Sequence, residues 1–392
     1  MMNHPPLVIV EKGKDPYGTT RAALSRFPLP PLQERRILIK PNAARPASPG
    51  QGVTTHPLVI SGTIDYLRER GAKEIAIGEG FIFGVEGQEA FRKTGLKKLS
   101  EKKKVKLLNM DRFDPFEKTI PDGTLLKRVK VSSALKDFDW IISIPVMKTH
   151  MHTQVTLSIK NMKGLLWRRE KARLHQLRPD EGRGRRYRSL DLAISEMAKV
   201  LMPHLVIIDG TVGMEGMGPA YGNAKEMATL IVSDHALSAD AVAARLMGFS
   251  PEKIPHLKLC SEKGLGEIRL HKIQIEPKDF LKWESPFQPP PSTFSLPYPD
   301  VSVYDEGSCS GCLSTLFTFL QDYHARLGRY RLKDRKIHIG VGKHLRTCPM
   351  GTILIGNCTV GMKKKGVFIK GCPPVSSQIM EALSRRKGPV QC

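Results

Sequence analysis

The sequence predicts an α/β protein, a mostly parallel sheet with crossover helices followed by a smaller C-terminal α/β unit. Apolar runs rich in β-branched residues recur with helical patterns between them, and a proline-rich stretch then divides the chain unequally. Six of the seven cysteines fall after residue 300, which sets the smaller unit apart chemically.

The first strand expected is RRILIKPN (35–42), whose unbroken apolar run suits a strand buried on both faces. HPLVISGTIDYLRERG (56–71) follows as a helix closed by Gly71. KEIAIGEG (73–80) and FDWIISIPVMK (138–148) read as further strands, and SLDLAISEMAKVLM (189–202) as a helix. HLVIIDG (204–210) and MATLIVSD (227–234) are strands again, and HALSADAVAARLMG (235–248) is a helix closed by Gly248. Strands that alternate with helices need crossovers, so the sheet is expected to be mainly parallel.

This first domain is expected over residues 1–282. WESPFQPPPSTFSLPYPD (283–300) carries prolines at 286, 289, 290, 291, 297 and 299, too many for a helix or a central strand, and reads as a linker. Trp283, Phe287, Phe294 and Tyr298 are expected to anchor it to one or both domains. The second domain, 301–392, is expected to hold helix CLSTLFTFLQDYHARLG (312–328), strands KIHIGVG (336–342), TILIGNC (352–358) and GVFIKGC (366–372), and helix SSQIMEALSRR (376–386).

At 392 residues and 40% apolar content the chain can bury two sizeable cores. No window of 18 apolar residues is present, so no transmembrane segment is expected, and the chain reads as cytoplasmic. With 62 Lys and Arg against 38 Asp and Glu, a net charge of +24 points to a negative partner. The segment 168–188 alone has nine basic residues against three acids, but only Tyr187 could stack on a base, which argues against nucleic acid. An anionic small-molecule substrate or an acidic electron-carrier protein fits better, with this segment as a lid or a dock.

An odd number of cysteines without a secretion signal argues against a disulfide framework and leaves metal binding. Cys309 and Cys312 form a Cys-x-x-Cys pair at a helix start, whereas Cys358 and Cys372 each end an expected strand. Strand ends and helix starts meet on one edge of an α/β sheet, so the four thiols can converge. Zinc and an iron–sulfur cluster both suit four thiolates. The glycines and serines flanking these cysteines, and Pro373 after Cys372, favour the cluster. Cys348 is an alternative third ligand, while Cys260 and Cys392 read as free thiols.

SCSGC before an apolar helix, then IGNC, then FIKGCPPVSSQIMEAL resembles the cluster-binding part of nickel–iron hydrogenase small subunits and of the 20-kilodalton subunit of NADH:quinone oxidoreductase. That resemblance implies one [4Fe-4S] cluster on Cys309, Cys312, Cys358 and Cys372.

In the first domain, IPVMKTHMHTQVTLSIKNMKGLLW (144–167) sets Lys148, His150, His152, Lys160, Asn161 and Lys163 just after a strand end, where open α/β sheets bind ligands. His150 and His152 share a face of an extended segment, so a metal site there is an alternative. DGTVGMEGMGPAYGN (209–223) reads as a glycine-rich loop holding Asp209 and Glu215. IKPN, the KTH and TLSIKNMKG pattern, His175 and this loop together resemble the family called domain of unknown function 362, over about residues 35–250. By position in that resemblance, Lys148, His150, His175, Asp209 and Glu215 are the candidate catalytic groups. Lys40, Asn42, Lys160, Asn161 and Lys163 are the candidates for substrate binding.

The function these features imply is that of an iron–sulfur oxidoreductase, passing electrons between the cluster and a substrate or cofactor in the basic pocket. Two alternatives stand beside it: an electron-transfer or assembly module without its own catalysis, and a non-redox proton-transfer enzyme on an anionic substrate with a structural cluster.

Overall fold

The computed structural model describes residues 4–177, 187–290 and 298–385. The chain forms two compact units, residues 1–290 and 291–392. Each has its own sheet and core.

The first unit is built on β1 (Leu7–Lys12), β2 (Arg36–Pro41), β3 (Glu74–Glu79), β4 (Lys106–Asn109), a hairpin of β5 (Pro115–Thr119) and β6 (Arg128–Ser132), β7 (Trp140–Ile144), β8 (Val146–His150), β9 (Gln154–Thr156), β10 (Leu205–Glu215), β11 (Asn223–Ser233) and β12 (Gln274–Glu276). Ten of these form one sheet in the order β12-β1-β11-β10-β7-β2-β3-β4, with β8 paired to β10 and to β9. From β10 to β4 all pairings are parallel. Strand β11 runs antiparallel to both its neighbours, so the sheet is mostly parallel, as expected.

The apolar runs are explained by burial on both faces. Along β2, Ile37 and Ile39 enter one core and Leu38 the other. Along β10, Leu205 and Ile207 face the side taken by Ile37, and Val206 and Ile208 the opposite side. Helix Pro57–Glu69 covers one face with Val59, Ile60, Ile64 and Leu67, and Gly71 follows its end at φ 84°. Helices Ser189–Ala198 and Ala236–Leu246 cover the other face.

Chain order gives the sheet a reversal. From β2 the chain moves outward to β3 and β4, then returns to the other side of β2 as β7 and continues to β10. The carboxyl ends of β2 and β7 therefore flank a topological switch point, the place where open α/β sheets leave a crevice.

Two sequence expectations change here. The single strand 138–148 is two strands, because Pro145 has no N–H for the ladder; its carbonyl instead accepts the Asp209 N–H at 2.8 Å. The glycine-rich segment 209–223 is largely strand, since β10 runs to Glu215 and β11 starts at Asn223. Its glycines mark close approach: a Cβ at Gly213 would stand 2.7 Å from the Met147 carbonyl oxygen, and one at Gly218 only 2.1 Å from that of Thr149.

The proline-rich segment does not behave as a free tether at its start. Phe287 is buried in the core of the first unit, and Trp283 packs at its margin. Tyr298 packs on the core of the second unit. Phe294 lies outside the described residues.

The second unit has a four-stranded parallel sheet in sequence order, β13 (Val301–Asp305), β14 (Ile337–Val341), β15 (Thr352–Ile355) and β16 (Gly366–Ile369). Helices Ser310–Tyr323 and Ser376–Ser384 bury Leu316, Phe319, Leu320, Ile379 and Leu383 with the strand residues Ile337, Ile339, Ile353 and Ile355.

Candidate functional site

Because all four strands of the second unit run the same way, the turns that follow them crowd one edge. Cys309 and Cys312 follow β13, Cys358 follows β15 and Cys372 follows β16. Strands β15 and β16 end at Ile355 and Ile369, so the last two cysteines lie just past the strands rather than at their final residues.

The three turns interlock. The Gly356 N–H donates to the Ile369 carbonyl at 3.0 Å, the Asn357 N–H to the Gly371 carbonyl at 2.8 Å, and the Gly371 N–H to Asn357 Oδ1 at 2.8 Å. The Thr315 hydroxyl donates to the Pro374 carbonyl at 2.9 Å, tying the helix that begins at Ser310 to the Cys372 turn. A Cβ at Gly356 would stand 3.0 Å from the Cys312 sulfur, and one at Gly311 would stand 3.5 Å from the Cys309 sulfur and 3.4 Å from the Pro373 ring. The Cys312 thiol and the backbone N–H groups of Cys312 and Gly311 hold the Cys309 thiol down to about 6. Cys312 is pushed up, first by Cys309 and burial, then by Cys372 and Cys358, so the Cys312 sulfur senses the other three.

The charge of Cys348 acts on Tyr304. Cys260 is buried in the core of the first unit, where burial pushes its thiol up to about 12. Cys392 lies outside the described residues. Among the described residues, no three or more His, Cys, Asp or Glu side chains are grouped to hold a metal ion.

In the first unit, polar side chains gather at the switch point. Lys40 is the next-to-last residue of β2 and Glu79 ends β3, and the Lys40 ammonium donates to Glu79 at 2.8 Å with both side chains at most 1% exposed. Burial pulls Lys40 down, and Glu79 opposes that. Lys40 also donates to Asn161 Oδ1 at 3.2 Å, and Asn42 Nδ2 donates to the same oxygen at 3.1 Å. The other end of the Asn42 amide accepts from Lys148 Nζ at 2.6 Å. A hydrogen-bonded chain therefore runs Glu79, Lys40, Asn161, Asn42, Lys148. It joins β2, β3 and β8 and fixes both amide orientations.

The segment after β9 is held by a group that sequence reasoning missed. Asp240 accepts from Ser158 N at 2.8 Å and Ile159 N at 3.1 Å, anchoring the turn that presents Lys160, Asn161 and Lys163. Burial pushes Asp240 up to about 7. The Lys160 ammonium donates to Thr156 Oγ1 at 3.0 Å, and Lys163 Nζ meets His175 Nε2. Burial pulls His150 well down, followed by the charges of Lys160 and His152. Its Nδ1 accepts the His152 and Thr153 N–H groups at 3.0 and 3.3 Å.

Lys40, Asn42, Lys148, His150, Lys160, Asn161, Lys163 and His175 thus form one neighbourhood, but the two acids expected opposite them face elsewhere. Asp209 accepts from the His56 N–H at 2.7 Å and from Thr211, so it anchors the start of helix Pro57–Glu69; burial pushes it up. Glu215 accepts from Gln288 N at 3.0 Å and Lys225 at 3.2 Å. The physical reason is β10: as a continuous strand it aims these residues by its own pleat. The acid at the site is Glu79, at the end of the expected strand KEIAIGEG, and the strand-end rule applied to acids would have found it. Arg45 was also missed; it is half-buried, interacts with Tyr221 and adds its charge to the surroundings of Lys148.

Over 268 residues the chain is 25% identical to a thylakoid-associated protein of Synechocystis sp., a match covering 67% of this chain and 79% of that protein. Among solved structures, the lactate racemase apoprotein of Thermoanaerobacterium thermosaccharolyticum overlays with a TM-score of 0.38 at 11% identity, over 66% of this chain and 57% of that one. A protein of Thermotoga maritima gives 0.33 at 14% identity, over 64% and 60%. The chain therefore spans less than two thirds of either structure. Residues 37–245, from β2 to the end of helix Ala236–Leu246, match the family described as a domain of unknown function (DUF362), and the chain belongs to that family.

Proposed function

We propose that Cys309, Cys312, Cys358 and Cys372 hold a [4Fe-4S] cluster and that the protein is an iron–sulfur oxidoreductase, acting on an anionic substrate or cofactor held by the lysine-rich site of the first unit. The observation that carries this reading is the interlocking of the three cysteine-bearing turns at one edge of a parallel sheet. Thiolates are the donors such clusters take. Gly356 keeps clear the space beside the Cys312 sulfur that a Cβ would fill.

When bound, the cluster supplies single electrons. The chain's own residues do the rest. The Gly311 and Cys312 N–H groups stabilise negative charge on the Cys309 sulfur, and Lys343 adds its charge nearby. In the first unit, Lys148 and Lys160 attract the anion, while Glu79 and the two asparagines hold the lysine frame. None of the six described cysteines is in a disulfide, which suits a reducing, cytoplasmic setting. The net charge of +24 suits an acidic electron-carrier protein as redox partner. No helix among the described residues is long and apolar enough to cross a membrane.

Anaerobic purification with iron and sulfide analysis, and EPR before and after dithionite, tests the reading. About four irons and four sulfides per chain are expected, and replacing any of the four cysteines by Ser should remove most of the iron. Stoichiometric zinc without sulfide would overturn it.

A further inference from the structure

We infer that the cationic cluster at the switch point is a binding site for a polyanion of the phosphate class. This deepens the proposed function, resting on it for the claim that the cluster receives a ligand. The argument begins with how this protein treats its other enclosed lysines. Lys40 meets Glu79, Lys171 meets Asp111 and Lys103 meets Asp65. Lys148 and Lys160 are as enclosed, at 3% and 8% exposure, yet among the described residues their hydrogen bonds go to neutral acceptors. Lys148 donates to Asn42 Oδ1 at 2.6 Å and to the Val53 carbonyl at 2.8 Å, and Lys160 to Thr156 Oγ1 at 3.0 Å.

The charges around these two amines make the imbalance worse. Arg45 and Lys40 repel a proton on Lys148, and among the described residues Glu79 is the acid that favours it. Lys163 and Lys148 repel one on Lys160, and among the described residues Asp191 is the acid that favours it. Glu79 is already engaged by Lys40 and by the Ala43 and Gly80 N–H groups. Desolvated charge needs a partner or it is lost by deprotonation, and burial with these neighbours holds Lys148 at about 7. A bound anion would supply the missing partner.

The number and placement of the cations indicate the ligand class. They come from separate segments, with Arg45 after β2, Lys148 on β8, and Lys160 and Lys163 on the turn after β9. A single carboxylate carries one charge in one plane and could meet only one or two of these convergent groups. A phosphate or diphosphate carries two or more charges with oxygens in several directions, and lysine ammonium groups bind it as point charges.

Two consequences separate this site from a merely basic surface. Ligand entry should protonate Lys148, so binding takes up protons and weakens as pH rises above about 7. Lys148→Met should also remove the proton uptake from whatever binding is left, because the amine that takes the proton is gone.

The test is calorimetric titration of the full-length protein with sodium pyrophosphate, against sodium chloride at matched ionic strength, in two buffers of different ionisation enthalpy at pH 8. Saturable binding with net proton uptake is expected for the parent. Lys148→Met and Lys160→Met should each weaken it by about 30-fold or more, the fold-change for ~2 kcal/mol, and Lys97→Met, on an exposed helix face, should leave it unchanged. Thermal melts should show both methionine variants folded and no longer stabilised by pyrophosphate. Non-saturable binding, or equal affinity in the parent and both variants, overturns the inference. Iron content is measured on the same samples: pyrophosphate binding without iron removes the redox reading and leaves this site standing, whereas iron without binding does the reverse.

Discussion

Enclosed lysines in this protein are of two kinds, and the difference yields predictions at single residues. Lys40 is held by Glu79 in a pair with no solvent around it. Breaking such a pair from one side strands the other charge, so Glu79→Gln should cost about 3–5 kcal/mol in urea unfolding. Replacing both, as in Lys40→Met with Glu79→Leu, should recover a large part of that loss, because the stranded charge is then gone. A loss in the double variant equal to that of the single one would show that the pair also carries the packing of Asn161. Lys148 predicts the opposite trend. Its folded pKa lies near 7, below the unfolded value, so the unfolded chain binds more protons between pH 7 and about 10. Stability of the ligand-free protein should therefore gain a contribution as pH rises through that window, and Lys148→Met should flatten it.

At the scale of the element, what the sequence revealed and what it concealed have one cause. Long apolar runs identify strands buried on both faces, so β2, β3, β7, β10 and β11 were legible from composition alone. Short strands such as β4 and β9 were not, because three or four residues show no period, and β1 was passed over although Val8, Ile9 and Val10 are buried on both faces as in β2. The reading of 209–223 as a loop failed for a related reason: glycines chosen for close backbone approach look the same in sequence as glycines chosen for flexibility. The lysines and asparagines of the site were legible because they cluster after a strand. Their carboxylate anchors, Glu79 and Asp240, come from other elements, 82 residues from Ser158 in the case of Asp240. That anchor makes its own prediction. A carboxyl whose folded pKa is raised to about 7 binds a proton in the folded state that the unfolded chain releases above about pH 4. Its contribution to stability is therefore present at low pH and falls between about pH 4 and 7, by at most ~1.4 kcal/mol per unit. Asp240→Asn should remove that slope from a series of denaturant melts, and an unchanged slope would place its source elsewhere.

For the whole molecule, the division of the chain assigns the two sites to separately built units. The ten-stranded sheet and both of its cores draw on residues up to Phe287, and the anion site uses β2, β3, β8 and the turn after β9, all from that unit. The cysteine edge draws only on the four-stranded sheet and its helices. Cooperative folding follows cores, so a fragment of residues 1–290 should unfold in a single transition with secondary structure close to that of the same segment in the full chain. Ending the fragment at 282 should do worse, because it deletes Phe287, which is 4% exposed in the core; truncating a buried Phe to Ala costs about 3–5 kcal/mol. Circular dichroism melts of the two fragments measure this difference directly. The 1–290 fragment should also contain no iron and bind pyrophosphate as the full chain does, since every side chain assigned to that site is present. If its affinity instead dropped by an order of magnitude while its melt stayed cooperative, residues beyond 290 would have to complete the anion site, and the assignment of the two chemistries to two units would fail.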